Sequence, residues 1–245
     1  MDPTRDLDLA AAGPDPAAAT AVLLPGSGSD GDFVRRAFAP VAERCARVVA
    51  VDAAPPSVVD GYLAALEAAR GRGPVVACGV SLGAAVAARW AAGAPAATGA
   101  LVLALAPWCG EPGDAPAALA AQATADAVDV DGAQAAIAAM QAGSPPWLAR
   151  ELTRSWAAHG AFLAAALREA GAYRGPTVTE LGRVTMPTVV IGARGDAVHP
   201  EAVAAEWAAA LPSATHVTVD LAELGTDATA LGRAAVQALG WDPRR

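Results

Sequence analysis

Short apolar runs recur along this chain at Ala21 to Leu24, Arg47 to Asp52, Pro74 to Cys78, Gly99 to Leu105, Pro187 to Gly192 and His216 to Val219. Their length and continuity predict strands buried on both faces. Between most of them lie segments with helical periodicity, at Asp32 to Cys45, Val58 to Arg70, Leu82 to Ala92, Pro200 to Leu211 and Asp227 to Leu239. Strand, helix, strand at this spacing requires right-handed crossovers. The pattern therefore predicts an α/β fold: a mostly parallel sheet of about six strands with helices on both faces.

The rhythm breaks once. From about Trp108 to Val184 no strand pattern occurs, only helical stretches punctuated by Pro112, Gly113, Gly143, Pro145-Pro146, Gly171 and Gly175. Inserted after the strand ending near Leu105, such a segment belongs over the carboxyl ends of the strands, where open α/β sheets bind ligands. The expected organisation is a core of residues 1–107 and 185–245 with a helical cap, 108–184, set into it.

Composition narrows the function classes. At 245 residues, with 54% hydrophobic and 17% charged, the chain can close one core and is not a disordered polymer. A formal net charge of -8 and the lack of any basic cluster argue against nucleic-acid binding. Cys45, Cys78 and Cys109 have neither metal-ligand spacing nor a disulfide framework, so reduced thiols are expected. Met1 to Asp8 is acidic and lacks the basic and apolar regions of a secretory signal. The longest apolar stretches, such as Ala100 to Ala106, fall well short of the roughly 20 residues a membrane span needs. These features predict a cytoplasmic protein, imply no membrane, nucleic-acid, metal or cofactor partner, and leave the oligomeric state open.

The stretch that carries chemistry is Gly79-Val80-Ser81-Leu82-Gly83, placed between the apolar run 74–78 and an Ala-rich helical run. G-x-S-x-G in that context is a nucleophile elbow, a tight strand-to-helix turn that lifts a serine hydroxyl above a sheet. A side chain at Gly79 or Gly83 would press on the turn or on the neighbouring strand, and the backbone near Ser81 must tolerate positive φ. The plainer alternative is a glycine-bounded strand end with an N-capping serine.

With these residues the whole chain resembles the α/β-hydrolase fold family. The resemblance implies that Pro25-Gly26-Ser27-Gly28-Ser29-Asp30, after the first strand, is the oxyanion loop, with the N–H groups of Ser27 and Leu82 as donors. Read without it, the run is an ordinary strand-to-helix loop with Asp30 as N-cap. Pro187 to Asp196 resembles the family's penultimate strand and the turn after it, which makes Asp196 the candidate acid; its alternative role is to cap the helix near Pro200. The family's histidine belongs after the last strand. There this chain reads Gly225-Thr226-Asp227, so Thr226 falls at the histidine position.

Without a base a serine hydroxyl is a poor nucleophile, and three histidines are available. His216, read as the start of the last strand, lies at its amino end, roughly 15 Å from the chemistry at about 3.3 Å per residue. His199 comes three residues after Asp196 in the same loop and is the candidate base, its alternative a surface residue at a helix start. His159 falls on a helical stripe with Leu148, Leu152, Trp156, Leu163 and Leu167, facing either the cap's own core or the substrate. Glu223 and Asp227 are weaker candidate bases, and Glu111 and Asp114 substitute acids. Trp108, Trp147, Trp156, Phe162, Tyr173 and Met140 collect in the cap; Trp108, Trp156 and His159 are candidates for substrate binding, with the cap core as the alternative. The functional expectation is an ester or thioester hydrolase acting on a small apolar acyl substrate through Ser81. The competing expectation is a catalytically silent member that binds small molecules or partners.

Overall fold

The computed structural model describes residues 15–241; the acidic Met1 to Asp8 segment lies outside the described residues. In chain order the elements are β1 (Thr20–Leu24), α1 (Gly31–Ala37), α2 (Ala39–Ala42), β2 (Arg47–Ala50), α3 (Val58–Arg70), β3 (Val75–Val80), α4 (Leu82–Gly93) and β4 (Thr98–Ala104). Next come α5 (Pro116–Asp131), α6 (Ala133–Gly143), α7 (Pro146–His159), α8 (Leu163–Ala172) and α9 (Val178–Leu181). The chain ends with β5 (Thr188–Arg194), α10 (Glu201–Ala210), β6 (Ala214–Asp220), α11 (Glu223–Thr226) and α12 (Ala230–Ala238).

The strands form one sheet in the order β2-β1-β3-β4-β5-β6, every pairing parallel. β1, β3 and β4 are buried along their whole length, which is why they read as unbroken apolar runs. The edge strands β2 and β6 are partly exposed. Alternation divides the core into two layers. Val22, Leu24, Ala77, Leu101, Leu103 and Val190 face α3, α4 and α10, whereas Ala21, Leu23, Cys78, Val102, Val189 and Ile191 face α1, α2 and α12. The order reverses between β1 and β3, so the loops after these two strands open the crevice in which such sheets bind ligands.

Between β4 and β5 the described chain forms helices joined by irregular segments and no strand. The helices share a core of Ala125, Ile137, Trp156, Leu163 and Leu167. Polar contacts, among them two clamps, fix them to the elements around the sheet. Glu169 of α8 accepts hydrogen bonds from the N–H groups of Val58 and Val59 at 2.7 and 3.2 Å and from the Ser57 hydroxyl, placing a carboxylate on the positive end of α3. On the other side Arg154 of α7 forks onto Asp30 at 2.9 and 3.1 Å.

Several element boundaries differ from those the periodicity predicts. The helix expected over Asp32 to Cys45 breaks at Phe38, because Pro40 in the next turn has no N–H and its ring collides with the carbonyl four residues back. The single stripe drawn from Leu148 to Leu167 is two helices, parted after His159 by Gly160 at φ 54°. The last long helix starts at Ala230 rather than Asp227, whose carboxylate instead takes the N–H and hydroxyl of Thr229. β2 ends at Ala50, before Asp52, which turns to accept the N–H of Gly31 at 2.7 Å.

Candidate active site

Ser81 links β3 to α4 with φ 52° and ψ −115°, in the left-handed half of backbone space that a residue bearing a Cβ rarely enters. The flanking glycines make the turn possible. A Cβ on Gly79 would stand 2.3 Å from the Gly83 carbonyl carbon, and one on Gly83 would stand 2.2 Å from the Leu24 oxygen of β1. The Ser81 N–H is held by Ala104 O of β4 at 3.0 Å. Sheet, turn and helix thus fix the hydroxyl above the carboxyl end of β3.

The loop after β5 brings the other two groups. Gly195, at φ 83°, turns the chain back, and Asp196 then organises the next three residues. Its Oδ1 accepts the N–H groups of Val198 and His199 at 2.8 and 3.0 Å, and its Oδ2 accepts His199 Nδ1–H at 3.0 Å. With Nδ1 donating, Nε2 is the acceptor, and it lies 2.9 Å from Ser81 Oγ. Ser81, His199 and Asp196 form one continuous chain of hydrogen bonds. Burial pushes the Asp196 carboxyl upward, but the imidazole hydrogen bond and charge of His199 and the two backbone donors outweigh it and hold the acid below its ordinary range.

The Pro25 to Ser29 loop lies against the serine: a Cβ on Gly26 would be 3.6 Å from Ser81 Cβ. A turn closed by the Ser29 N–H on Gly26 O, at 2.9 Å, shapes it, and the buried Tyr62 hydroxyl holds Pro25 O at 3.0 Å. Ser27 stands within this turn and Leu82 is the first residue of α4, so neither N–H has an intrahelical partner. From above, Ser155 of α7 donates to Gly28 O at 2.6 Å, and the Trp156 indole nitrogen would come 2.9 Å from a Cβ on Gly28. Helix α7 is thus hydrogen-bonded to the loop that faces Ser81.

The remaining candidates are placed elsewhere. Thr226 ends α11, exposed, with its hydroxyl given to Glu223 O at 3.1 Å. The imidazole within hydrogen-bond distance of Ser81 comes instead from the loop after β5, at His199. His216 is the third residue of β6, paired with Val190, rather than the first; the ladder begins two residues earlier, at Ala214. His159 binds Ser155 O through Nδ1 at 2.7 Å. Trp108 is buried and donates to Tyr173 O at 3.1 Å, and Trp156 packs with Leu163 and Leu167 in the core shared by the helices between β4 and β5. Glu223 and Asp227 are paired with Arg233, and Glu111 with Arg174. Asp30 caps α1 through the Phe33 N–H, as the plainer reading of its loop expects. Ser155 and Arg154 had no sequence signal, because their partners lie more than a hundred residues away.

Comparison with known proteins gives the same architecture. The structure is similar to that of an enol-lactonase from Burkholderia xenovorans LB400, with a TM-score of 0.72 and 18% identity over 91% of this chain and 92% of that one. It is similar to MenH from S. aureus, with a TM-score of 0.71 and 16% identity over 92% and 94%. A hydrolase from Pseudomonas aeruginosa PA01 matches with a TM-score of 0.70 and 23% identity over 91% and 90%. Among curated proteins no sequence match is found. The profile of the alpha/beta hydrolase family, however, matches residues 7–226, and the chain belongs to that family.

Proposed function

We propose that the protein is a serine hydrolase that cleaves a carboxylic ester or thioester of a small apolar acyl group. The observation that carries this reading is the relay Ser81 Oγ to His199 Nε2 at 2.9 Å and His199 Nδ1 to Asp196 Oδ2 at 3.0 Å. In the proposed reaction Ser81 Oγ attacks the carbonyl carbon while its proton passes to His199 Nε2. Asp196 steadies the imidazolium. The N–H groups of Ser27 and Leu82 receive the negative charge that develops on the carbonyl oxygen. Collapse expels the alcohol or thiol, which takes the proton from His199, and a water repeats the sequence to release the acid and free Ser81. In this reading residues 108–184 act as the cap over the acyl group, with Trp156 forming part of its wall.

A fluorophosphonate probe tests the reading without knowledge of the substrate, since it labels only an activated serine. Labelling of the wild type that disappears in both Ser81→Ala and His199→Ala, together with turnover of p-nitrophenyl acetate, is the expected result. A folded wild type that takes no label and turns over no ester would instead be a binding protein on a hydrolase scaffold.

A further inference from the structure

The N–H proposed as a donor at Ser27 belongs to the peptide group between Gly26 and Ser27, a rigid trans plane in which C=O and N–H point in opposite directions. The direction of that N–H is therefore set by whatever holds the Gly26 oxygen, which accepts the Ser29 N–H at 2.9 Å. The plane hinges on Gly26, and glycine has more backbone freedom than any other residue. Its aim at the space beside Ser81 thus depends on how firmly the plane before it, between Pro25 and Gly26, is held.

One side chain holds that earlier plane. Pro25 is buried, and among the described residues the donor to its oxygen is the Tyr62 hydroxyl, at 3.0 Å. On the other side the oxygen is pressed by the first turn of α4, where a Cβ on Gly83 would stand 2.7 Å from it. Tyr62 reaches the loop because it lies on the buried stripe of α3, with Val58, Leu66 and Ala69, and its ring packs in the same layer as Val22, Leu24 and Leu82. A phenylalanine would fill that layer equally well, so the hydroxyl adds only the bond to Pro25. Burial, and after it the Asp52 and Glu169 carboxylates, push the phenol upward, which keeps it protonated and a donor.

We propose that Tyr62 is a positioning residue for ester cleavage, its hydroxyl fixing the Pro25 peptide so that the next peptide presents the Ser27 N–H to the oxygen of the tetrahedral intermediate. It acts through the loop and touches neither the reacting atoms nor the relay. The assignment rests on the hydrolase reading and extends it to a fully buried residue of α3, on the far side of the loop from Ser81.

The test is Tyr62→Phe in the full-length protein, which keeps the ring and removes the hydroxyl. Turnover of p-nitrophenyl acetate is expressed per active site counted by fluorophosphonate titration, so that unfolded protein does not enter the rate. Both proteins are assayed in trimethylamine N-oxide if the variant is too unstable without it. We expect kcat to fall about 10- to 100-fold, with KM changed by less than about twofold. The inhibition constant of 1,1,1-trifluoroacetone, whose adduct with Ser81 carries its oxyanion where the intermediate does, should rise by the same factor as kcat/KM falls. The pH of half-maximal kcat should stay at the wild-type value, because His199 and Asp196 are untouched. Unchanged kcat, a loss confined to KM, or a lower kcat with trifluoroacetone inhibition intact would overturn the assignment. So would a shifted pH profile, which would place the effect in the relay. A wild type that takes no label and turns over no ester would remove the hydrolase reading and this assignment with it, whereas an active wild type matched by Tyr62→Phe would remove this assignment alone.

Discussion

The loops that leave β5 and β6 start side by side at the same end of the sheet, yet only the first reaches the serine. After β5, Gly195 and Asp196 fold the chain so tightly that the acid and the imidazole it holds come from one turn. After β6, where the resemblance placed the histidine, the chain pairs Asp220 with Arg194, winds into the short α11 and ends it at an exposed Thr226. The contrast teaches that the relay requires a geometry rather than a loop of origin. One imidazole nitrogen must reach the hydroxyl and the other a carboxylate. Here the Asp196 carboxylate also builds the turn that carries the His199 ring, so the acid and base of the proposed relay are structurally coupled.

The comparison breaks most directly at its functional end. Ser81→Ala and His199→Ala should each lower kcat for an activated ester by about 10⁶-fold, and the double variant should be hardly worse, because groups acting as one unit are not additive. Steady-state turnover of p-nitrophenyl acetate checks this. Independent, multiplying losses would show that His199 does not serve Ser81.

The coupling of acid and turn predicts a split at Asp196. Asp196→Asn keeps an oxygen for the Val198 and His199 N–H groups but loses the charge, and should cost about 10⁴-fold in kcat. Asp196→Ala should cost more, since the turn also loses its acceptor. Equal losses would mean that the loop holds His199 without help from the side chain. The same carboxylate should appear in the pH dependence of stability. Its pKa in the folded protein lies below the ordinary aspartate value, so its contribution is full above that ordinary value and is lost as pH falls through the lower, folded one. Urea midpoints of wild type and Asp196→Asn should therefore differ near neutrality and converge in strong acid. A gap that widened on acidification would contradict this sign.

A milder effect is expected from the cap. Ser155 is buried and fixes Gly28 O at 2.6 Å, within the loop that faces Ser81. Ser155→Ala should let that turn drift and lower kcat by roughly 10- to 100-fold with little change in KM, because small misplacements near the reacting centre are costly. Ser155→Thr, which retains the hydroxyl, should recover part of the loss. A change confined to KM would assign Ser155 to substrate binding.

The parts of this molecule that were legible in the sequence are those specified locally. Strand runs read directly because β1, β3 and β4 are buried on both faces, and the elbow read directly because its backbone contacts leave no room for a Cβ at Gly79 or Gly83. His199 was legible as a candidate because it shares a loop with Asp196. That its ring turns back onto that acid depends on the Oδ1 contacts within the turn, which spacing does not encode. The cap's attachments through Glu169, Arg154 and Ser155 were not legible at all. They join segments more than a hundred residues apart, a separation that no local spacing encodes. The break at Phe38 was readable from Pro40 and shows that a proline outweighs several residues of good periodicity.

The smallest effect belongs to the β6 loop and completes the contrast. If the natural protein lacked its base, Thr226→His would supply one and raise ester turnover sharply. The geometry predicts otherwise. Ser81 Oγ already has an imidazole at 2.9 Å, Asp196 has both oxygens engaged, and Thr226 is an exposed residue at the end of a four-residue helix. A histidine there has neither a free nucleophile to activate nor a free acid to orient it. Thr226→His should show no gain in turnover, with stability shifted by no more than about 0.5 kcal/mol as is usual for an exposed substitution. The informative version places the change in a His199→Ala background, where the relay has lost its base. No rescue there would mean that the β6 loop cannot reach the serine and that the two loops are not interchangeable. Rescue by Thr226→His, measured as turnover that vanishes on adding Ser81→Ala, would show that both loops can serve the same nucleophile and that the choice of the β5 loop is not imposed by the fold.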